Sequence, residues 1–478
     1  MSTSIRLATL LSLAQRYVSF IIGLASAMVL ARLLSPAETG VFSIAASLAA
    51  ITGVVREFGI SAYLIRAKTI ERDTLRATFG WSLMVGMFLA LVLVALAQPT
   101  ARFYGQPALA VMLTIFAINL AILPIGTNAF ALMNRELRFA PLFVINTATT
   151  VIGAVVAIGL AHAGCSFMSL AWATLATTVA SVALVAIHRP ADTFIMPSLR
   201  QSRALLKFSG VVSGGTLIDQ IARRSPDLII GKALGFHEAG IFSKTTSIVD
   251  AFGEFFASAV NKVAFPALAR RVAEGCADRE DYLRIVRTMT VFPLAFYGFC
   301  ALFAAPMVMC LFGPRWMEAV PLLRVGAIGG LLSAPYLCAW SALMANNQLA
   351  DVLRIQVIGS IALVIGVAAG AMFGVMAIVV ALLLTTCVKL ALFQRGLGRG
   401  YQVSPGALLS STGRSVACAV LGLIPASAAL RLYETTQGSA LLALACGAAV
   451  CAVVLAGALY GLKHPITDEL AKLRAERS

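Results

Sequence analysis

Charge is what this chain has least of. Asp, Glu, Lys and Arg make up 12% of its 478 residues, and hydrophobic residues make up 60%. A water-soluble fold with so apolar a surface would aggregate, so an ordinary soluble domain is excluded. Acid is scarcer still, with 21 Asp and Glu against 37 Lys and Arg. Histidine occurs four times, and His162, His188, His237 and His464 each fall at the end of an apolar run, in no catalytic grouping. The nine cysteines include no CxxC or other metal spacing. Cys300, Cys387, Cys418, Cys446 and Cys451 lie inside apolar runs, where a thiol packs as a small hydrophobe. No metal and no cofactor is expected.

A long polar insertion is missing too. The widest gap between apolar runs is Ala264–Arg287, whose Asp278, Glu280 and Asp281 read as a solvated loop. A membrane-embedded glycosyltransferase or polysaccharide polymerase needs a larger extramembrane segment bearing catalytic carboxylates or histidines. The chain is therefore read as a non-enzyme.

What the chain does have is about fourteen apolar runs of roughly 20 residues, the length that crosses a bilayer. It reads as an all-α polytopic membrane protein. The first run, from Leu7, is too long for a signal-peptide core and lacks a small-residue cleavage site, so it is expected to stay as a helix. Lys and Arg collect in alternate loops: Arg66, Lys68, Arg72 and Arg76, then Arg135 and Arg138, then Arg200, Arg203 and Lys207, then Arg270 to Arg287. That asymmetry places both termini in the cytoplasm. It also accounts for most of the formal net charge of +16. These loops imply contact with anionic lipid headgroups rather than nucleic acid.

The chain also repeats. Leu34, Glu38, Gly40, Phe42 and Ser43 recur in register as Leu234, Glu238, Gly240, Phe242 and Ser243, and Arg32 is answered by Lys232. Further on, Pro124 and Ala131 to Met133 are matched by Pro335 and Ala342 to Met344. Repeated halves in a membrane chain point to a transporter with its site between them. Six spans per half make the repeats parallel. Residues 1–200 form the first six-helix lobe and 201–398 the second, with two additional helices and a basic tail over 399–478. Gly40 and Gly240 mark the repeated turn, and Pro124 and Pro335 mark kinks that serve as hinges or static bends.

Charges inside spans are costly, and by default they mark a site or a pair. Arg16 lies in the first span and Arg56 in the second, each ~12 Å from the cytoplasmic end at 1.5 Å per residue. The seventh span carries Asp219, Arg223, Arg224 and Asp227, and the eighth carries Lys244, Asp250 and Glu254. Asp219, Arg223 and Asp227 share a helix face through i,i+4 spacing, so they either pair with one another or line a cavity. Arg16, Arg56, Arg223 and Arg224 are the candidates for binding an anionic substrate, because the planar guanidinium grips oxyanions bidentately. Asp219, Asp250 and Glu254 are the candidates for ion coupling.

The segments Ala31–Ser43, Glu57–Gly59, Leu64–Arg66, Asp227–Gly235 and Gly240–Ser243 resemble the signature of Wzx-type polysaccharide flippases. Phe312–Trp316 and Pro321–Arg324 are similar to the segment after that family's ninth helix. The family lies in the multidrug/oligosaccharidyl-lipid/polysaccharide exporter superfamily. The resemblance implies a V-shaped, MATE-like pair of pseudo-symmetric six-helix lobes. It implies flipping of undecaprenyl-diphosphate-linked oligosaccharides across the bacterial inner membrane, for O-antigen, capsule or exopolysaccharide. It further implies a cationic cavity holding Arg16 and Arg56, coupling to H+ or Na+, and work beside a polysaccharide polymerase and a chain-length regulator. A drug or organic-cation antiporter of the same superfamily is the alternative. It would favour a carboxylate-lined cavity, whereas the first lobe here offers arginines and little acid beyond Glu57.

Overall fold

A lipid-embedded backbone must satisfy its own hydrogen bonds, which leaves helices as the simplest spanning element. The computed structural model describes residues 2–57, 72–136, 138–188, 197–198, 202–274, 278–436 and 439–467, and among them there is no strand. The first helices are α1 (Ser2–Leu33), α2 (Pro36–Glu57), α3 (Arg72–Tyr104), α4 (Ala108–Ile122), α5 (Pro124–Arg135), α6 (Phe139–Leu160) and α7 (Met168–His188). Next come α8 (Ser202–Ala233), α9 (Phe236–Ala273), α10 (Arg279–Met289), α11 (Val291–Leu302), α12 (Ala304–Leu311), α13 (Ala319–Ser333) and α14 (Ala339–Ala345). The last are α15 (Leu349–Gly370), α16 (Val375–Tyr401), α17 (Pro405–Thr436) and α18 (Ala440–Gly461).

Among the described residues, 10 helices are long and apolar enough to cross a membrane, or 12 if α4–α5 and α10–α11 each count as one bent span. The two remaining expected spans are α8 and α9, whose intramembrane charges lower their apolarity. Large apolar side chains such as Ile21, Leu91, Val155, Ile365, Leu384 and Val453 stand exposed along these helices. Such exposure suits contact with lipid chains rather than water.

By contacts the chain divides into two compact units, Met1–Gly240 and Ile241–Ser478. In the first, α3 packs on α4, α6 on α7, α1 mainly along α6, and α2 along α8. Its core runs through Ile44, Leu93, Leu109, Met112, Leu113 and Ala171. In the second, α15 packs on α16, α17 on α18, and α11 on both α13 and α17.

The repeated turn is closed differently in its two copies. Before α2, Ser35 and Glu38 form a reciprocal pair: the Ser35 N–H donates to Glu38 Oε2 at 2.7 Å, and the Glu38 N–H donates to Ser35 Oγ at 3.3 Å. Ser166 also donates its hydroxyl to Glu38 Oε1, bracing the turn against the start of α7. Before α9 the equivalent of Ser35 is Gly235, at φ +100°, a conformation glycine takes without a steric penalty.

Both copies then reach their glycines. A methyl on Gly40 would strike the Phe236 carbonyl oxygen, and one on Gly240 would strike the Pro36 carbonyl oxygen. The two helix starts cross backbone to backbone, the close approach that small residues permit in membranes.

The prolines open the helices where the sequence places them. Helices α4 and α5 meet at Pro124 with a bend of 52°. Proline lacks the N–H that would bond Leu120, and Gly86 of α3 fits that bend. A Cβ there would lie 2.8 Å from Pro124 Cγ and 2.9 Å from the Leu120 oxygen. Pro335 lies in a 3₁₀ turn, Ala334–Tyr336, and the Tyr336 hydroxyl donates to Gln394 Oε1 at 3.0 Å.

The glycine crossing yields a direct expectation. Gly40→Ala or Gly240→Ala forces the helix starts apart and costs about 1–3 kcal/mol, the range for overpacking. Gly53→Ala, with nothing within 4 Å of its added Cβ, leaves stability unchanged or slightly raised. Thermal unfolding of the purified protein in detergent separates the two outcomes.

Candidate functional site

The intramembrane charges of the first unit are organised by the α2–α8 contact. The two helices run antiparallel. Gly231 makes room for Ile44, whose Cδ1 a methyl on that glycine would strike. Four residues along α8, Ser47 Oγ donates to Asp227 Oδ2 at 3.0 Å. This register sets Arg56, in the last turn of α2, level with Asp219. Helix α1 leaves the same turn as α2, so Arg16 comes within about one helical turn of Arg56 in depth, at 1.5 Å per residue. Arg16 and Arg56 are half-buried.

Two of the expected trio on α8 meet directly. Arg223 Nε pairs with Asp219 Oδ2 at 2.6 Å, as the i,i+4 spacing predicts. The Asp227 carboxylate is buried, 8% exposed, and takes the Ser47 hydroxyl from α2. One residue before it the helical ladder is interrupted. Pro226 has no N–H for the Ala222 carbonyl, which accepts the Ser225 hydroxyl at 2.8 Å instead.

Arg223 remains 65% exposed despite its partner, and Arg224 is exposed as well. The C-terminal part of α8 is fastened further by α3. The Tyr104 hydroxyl donates to the Leu228 carbonyl at 3.0 Å. The Lys232 ammonium lies 4.4 Å from the Phe103 ring centroid and donates to the Phe103 carbonyl. None of these partners was foreseen. Ser47, Phe103 and Tyr104 carry no local signal that they meet α8.

In the second unit, Asp250 is exposed on α9. The side chain of Glu254 lies outside the described residues, so its expected coupling role has no geometry here. Lys244 was visible as an intramembrane charge, but its setting was not. Its ammonium stands 5.4 Å from the Phe312 ring centroid and 5.9 Å from that of Trp316, in the segment singled out by resemblance. Ring faces stabilise a cation where water is scarce. Among the described residues, no group of three or more His, Cys, Asp or Glu side chains is placed to hold a metal ion.

Comparison with known proteins gives the family and the fold. The model of a family described as polysaccharide biosynthesis protein matches residues 29–321. A succinoglycan biosynthesis transport protein of Rhizobium meliloti, ExoT, is 29% identical over 309 residues, covering 64% of this chain and 62% of that protein. The match thus spans about three fifths of that relative's length. The lipopolysaccharide biosynthesis protein WzxC of Escherichia coli is 22% identical over 334 residues, 68% of this chain and 67% of its own. Among solved structures, the lipid II flippase MurJ in an inward closed conformation superposes with a TM-score of 0.74 at 12% identity, covering 95% of this chain and 99% of that one. An inward-facing multidrug resistance MATE transporter gives a TM-score of 0.58 at 17% identity, over 83% and 96%. These two likenesses establish the all-α fold.

The Ser47–Asp227 bond predicts an asymmetry between its ends. Ser47→Ala removes a donor from a buried carboxylate and costs about 1–3 kcal/mol. Asp227→Asn keeps an oxygen to accept the hydroxyl and costs less. Thermal unfolding of the two variants side by side checks the order.

Proposed function

The chain belongs to the polysaccharide biosynthesis protein family, and from that premise we propose that it flips undecaprenyl-diphosphate-linked oligosaccharide repeat units from the cytoplasmic to the outer leaflet of the bacterial inner membrane. The observation that carries this reading is the layer of arginines on α1, α2 and α8. Arg223 is 65% exposed within a membrane helix. A cation facing hydrocarbon is expensive, so that face borders an aqueous space.

The cargo head is a sugar diphosphate, strongly hydrated and anionic, and it cannot enter hydrocarbon unaided. Arg16, Arg56, Arg223 and Arg224 replace its water with charge-assisted hydrogen bonds, while the polyprenyl chain stays in lipid. Alternating access then exposes the head to the other side. Asp219 holds Arg223 through its nearer carboxylate oxygen, so it competes with the phosphate for that guanidinium and helps release the cargo. Asp219, Asp250 and Glu254 are the groups through which H+ or Na+ enters the cycle. In this reading the termini are cytoplasmic, the lobes are 1–200 and 201–398, and a polymerase and chain-length regulator act on the product. The work is transport rather than catalysis.

Complementation of a strain lacking its polysaccharide flippase tests this. Wild-type protein restores surface polysaccharide. Arg16→Ala and Arg56→Ala, at matched membrane expression, each reduce it roughly 10- to 100-fold, the equivalent of the ~1.5–3 kcal/mol of a hydrogen bond to a charged group. Restoration that survives both substitutions removes the arginine site and keeps the flippase. Failure of well-expressed wild type, in strains with differing repeat units, removes the flippase.

A further inference from the structure

The end of the chain carries a titratable group that transport does not use. His464 follows α18, and its ring is fully buried, 0% exposed. Its Nδ1 accepts the Ile466 N–H at 3.4 Å, which leaves the ring proton on Nε2. Nε2 lies 3.0 Å from Ser415 Oγ on α17 and donates to it. The Ser415 hydroxyl in turn donates to the Arg287 carbonyl on α10 at 3.2 Å. Three segments distant in sequence are thus joined by one chain of hydrogen bonds, in which the Ile466 N–H bond to Nδ1 requires a neutral imidazole.

The far end of that chain is a structural break. Helices α10 and α11 meet at Thr290 with a bend of 41°, and the Thr290 hydroxyl donates to the Val286 carbonyl at 2.6 Å. Pro293, lacking an N–H, leaves the Met289 carbonyl without its helical donor. Ser415 therefore supplies a donor beside a turn where the helical ladder is already incomplete.

Among the described residues, the charged groups named beside the ring are basic. Arg414 on α17 is exposed beside it, and Lys463 precedes it in the chain. Arg287 on α10 offers its carbonyl while its guanidinium is bound to Glu280 at 3.0 Å. Among the described residues, no carboxylate forms an ion pair with the ring.

We propose that His464 is a proton-sensitive latch, which through Ser415 ties the segment after α18 to the α10–α11 bend and lets go when the ring is protonated. A proton on Nδ1 removes the acceptor for the Ile466 N–H and places a buried charge beside Arg414. Burial first, and then the Arg414 guanidinium, hold the imidazole below its ordinary range. A depressed histidine pKa stabilises the folded form above the pKa of free histidine. That stabilisation is lost as pH falls through the depressed value, so the latch is closed at neutral pH and opens in acid.

Limited trypsin cleavage after Lys463 of the full-length protein in lipid nanodiscs tests the latch, read by mass spectrometry. Rates are divided by those of a free peptide of the same sequence at each pH. In wild type the site is protected at pH 8 and cut at least tenfold faster at pH 5.5. His464→Gln keeps an amide donor for Ser415 and cannot titrate, so it stays protected at both pH values. Arg414→Gln moves the midpoint to higher pH, a shift that a purely structural histidine would not show. Equal protection of wild type at both pH values overturns the proposal, as does a pH response that persists in His464→Gln. If His464→Gln does not hold the segment at all, Ser415→Ala decides: cleavage at both pH values supports the latch, and a retained pH response refutes it.

Discussion

The crossing of α2 and α9 at Gly40 and Gly240 sets the terms for the rest of the first unit. Hydrocarbon gives helices no hydrophobic reason to associate, so association depends on how closely backbones approach. Here each glycine lies against the opposite helix's first carbonyl, Phe236 or Pro36, close enough for Cα–H to oxygen contacts. With the start of α9 held there, α8 is brought alongside α2, Gly231 receives Ile44, and Asp227 arrives at Ser47. The arginine layer depends on that register. A shift of one helical turn would take Arg56 away from the level of Asp219.

A second constraint is that broken helices must be repaired locally. Each proline in a span frees a carbonyl, and in lipid no water replaces the missing donor. At Pro226 the repair is the Ser225 hydroxyl on the Ala222 carbonyl. At Pro124 it is geometric, since Gly86 lets α3 close over the freed Leu120 oxygen. At the α10–α11 bend Ser415, more than a hundred residues away in sequence, donates to the Arg287 carbonyl, two residues before the Met289 carbonyl that Pro293 frees.

The fold was legible in the sequence because hydropathy and the repeat are strong, local signals. Spans α8 and α9 were legible through the repeat, although their charges make them poor membrane segments by composition. The Gly40/Gly240 pair was visible as an identity, but that the two glycines touch each other was not. Within the site, i,i+4 spacing found the Asp219–Arg223 pair because both partners ride one helix. The bond from Ser47 to Asp227 was not legible, because Ser47 is 180 residues distant and one of many serines. His464 looked like an ordinary residue at a helix end. Its burial depends on α17 and α10, which no local pattern announces.

Pro226 divides α8 into two parts with different obligations. The C-terminal part is fastened by Ser47, Tyr104 and Phe103, through Asp227, Leu228 and Lys232. The part before the proline carries Asp219, Arg223 and Arg224, with both arginines exposed. The buried pair Ser225–Pro226 is therefore a boundary on one helix, between polar groups whose hydrogen bonds reach α2 and α3 and arginines that face outward.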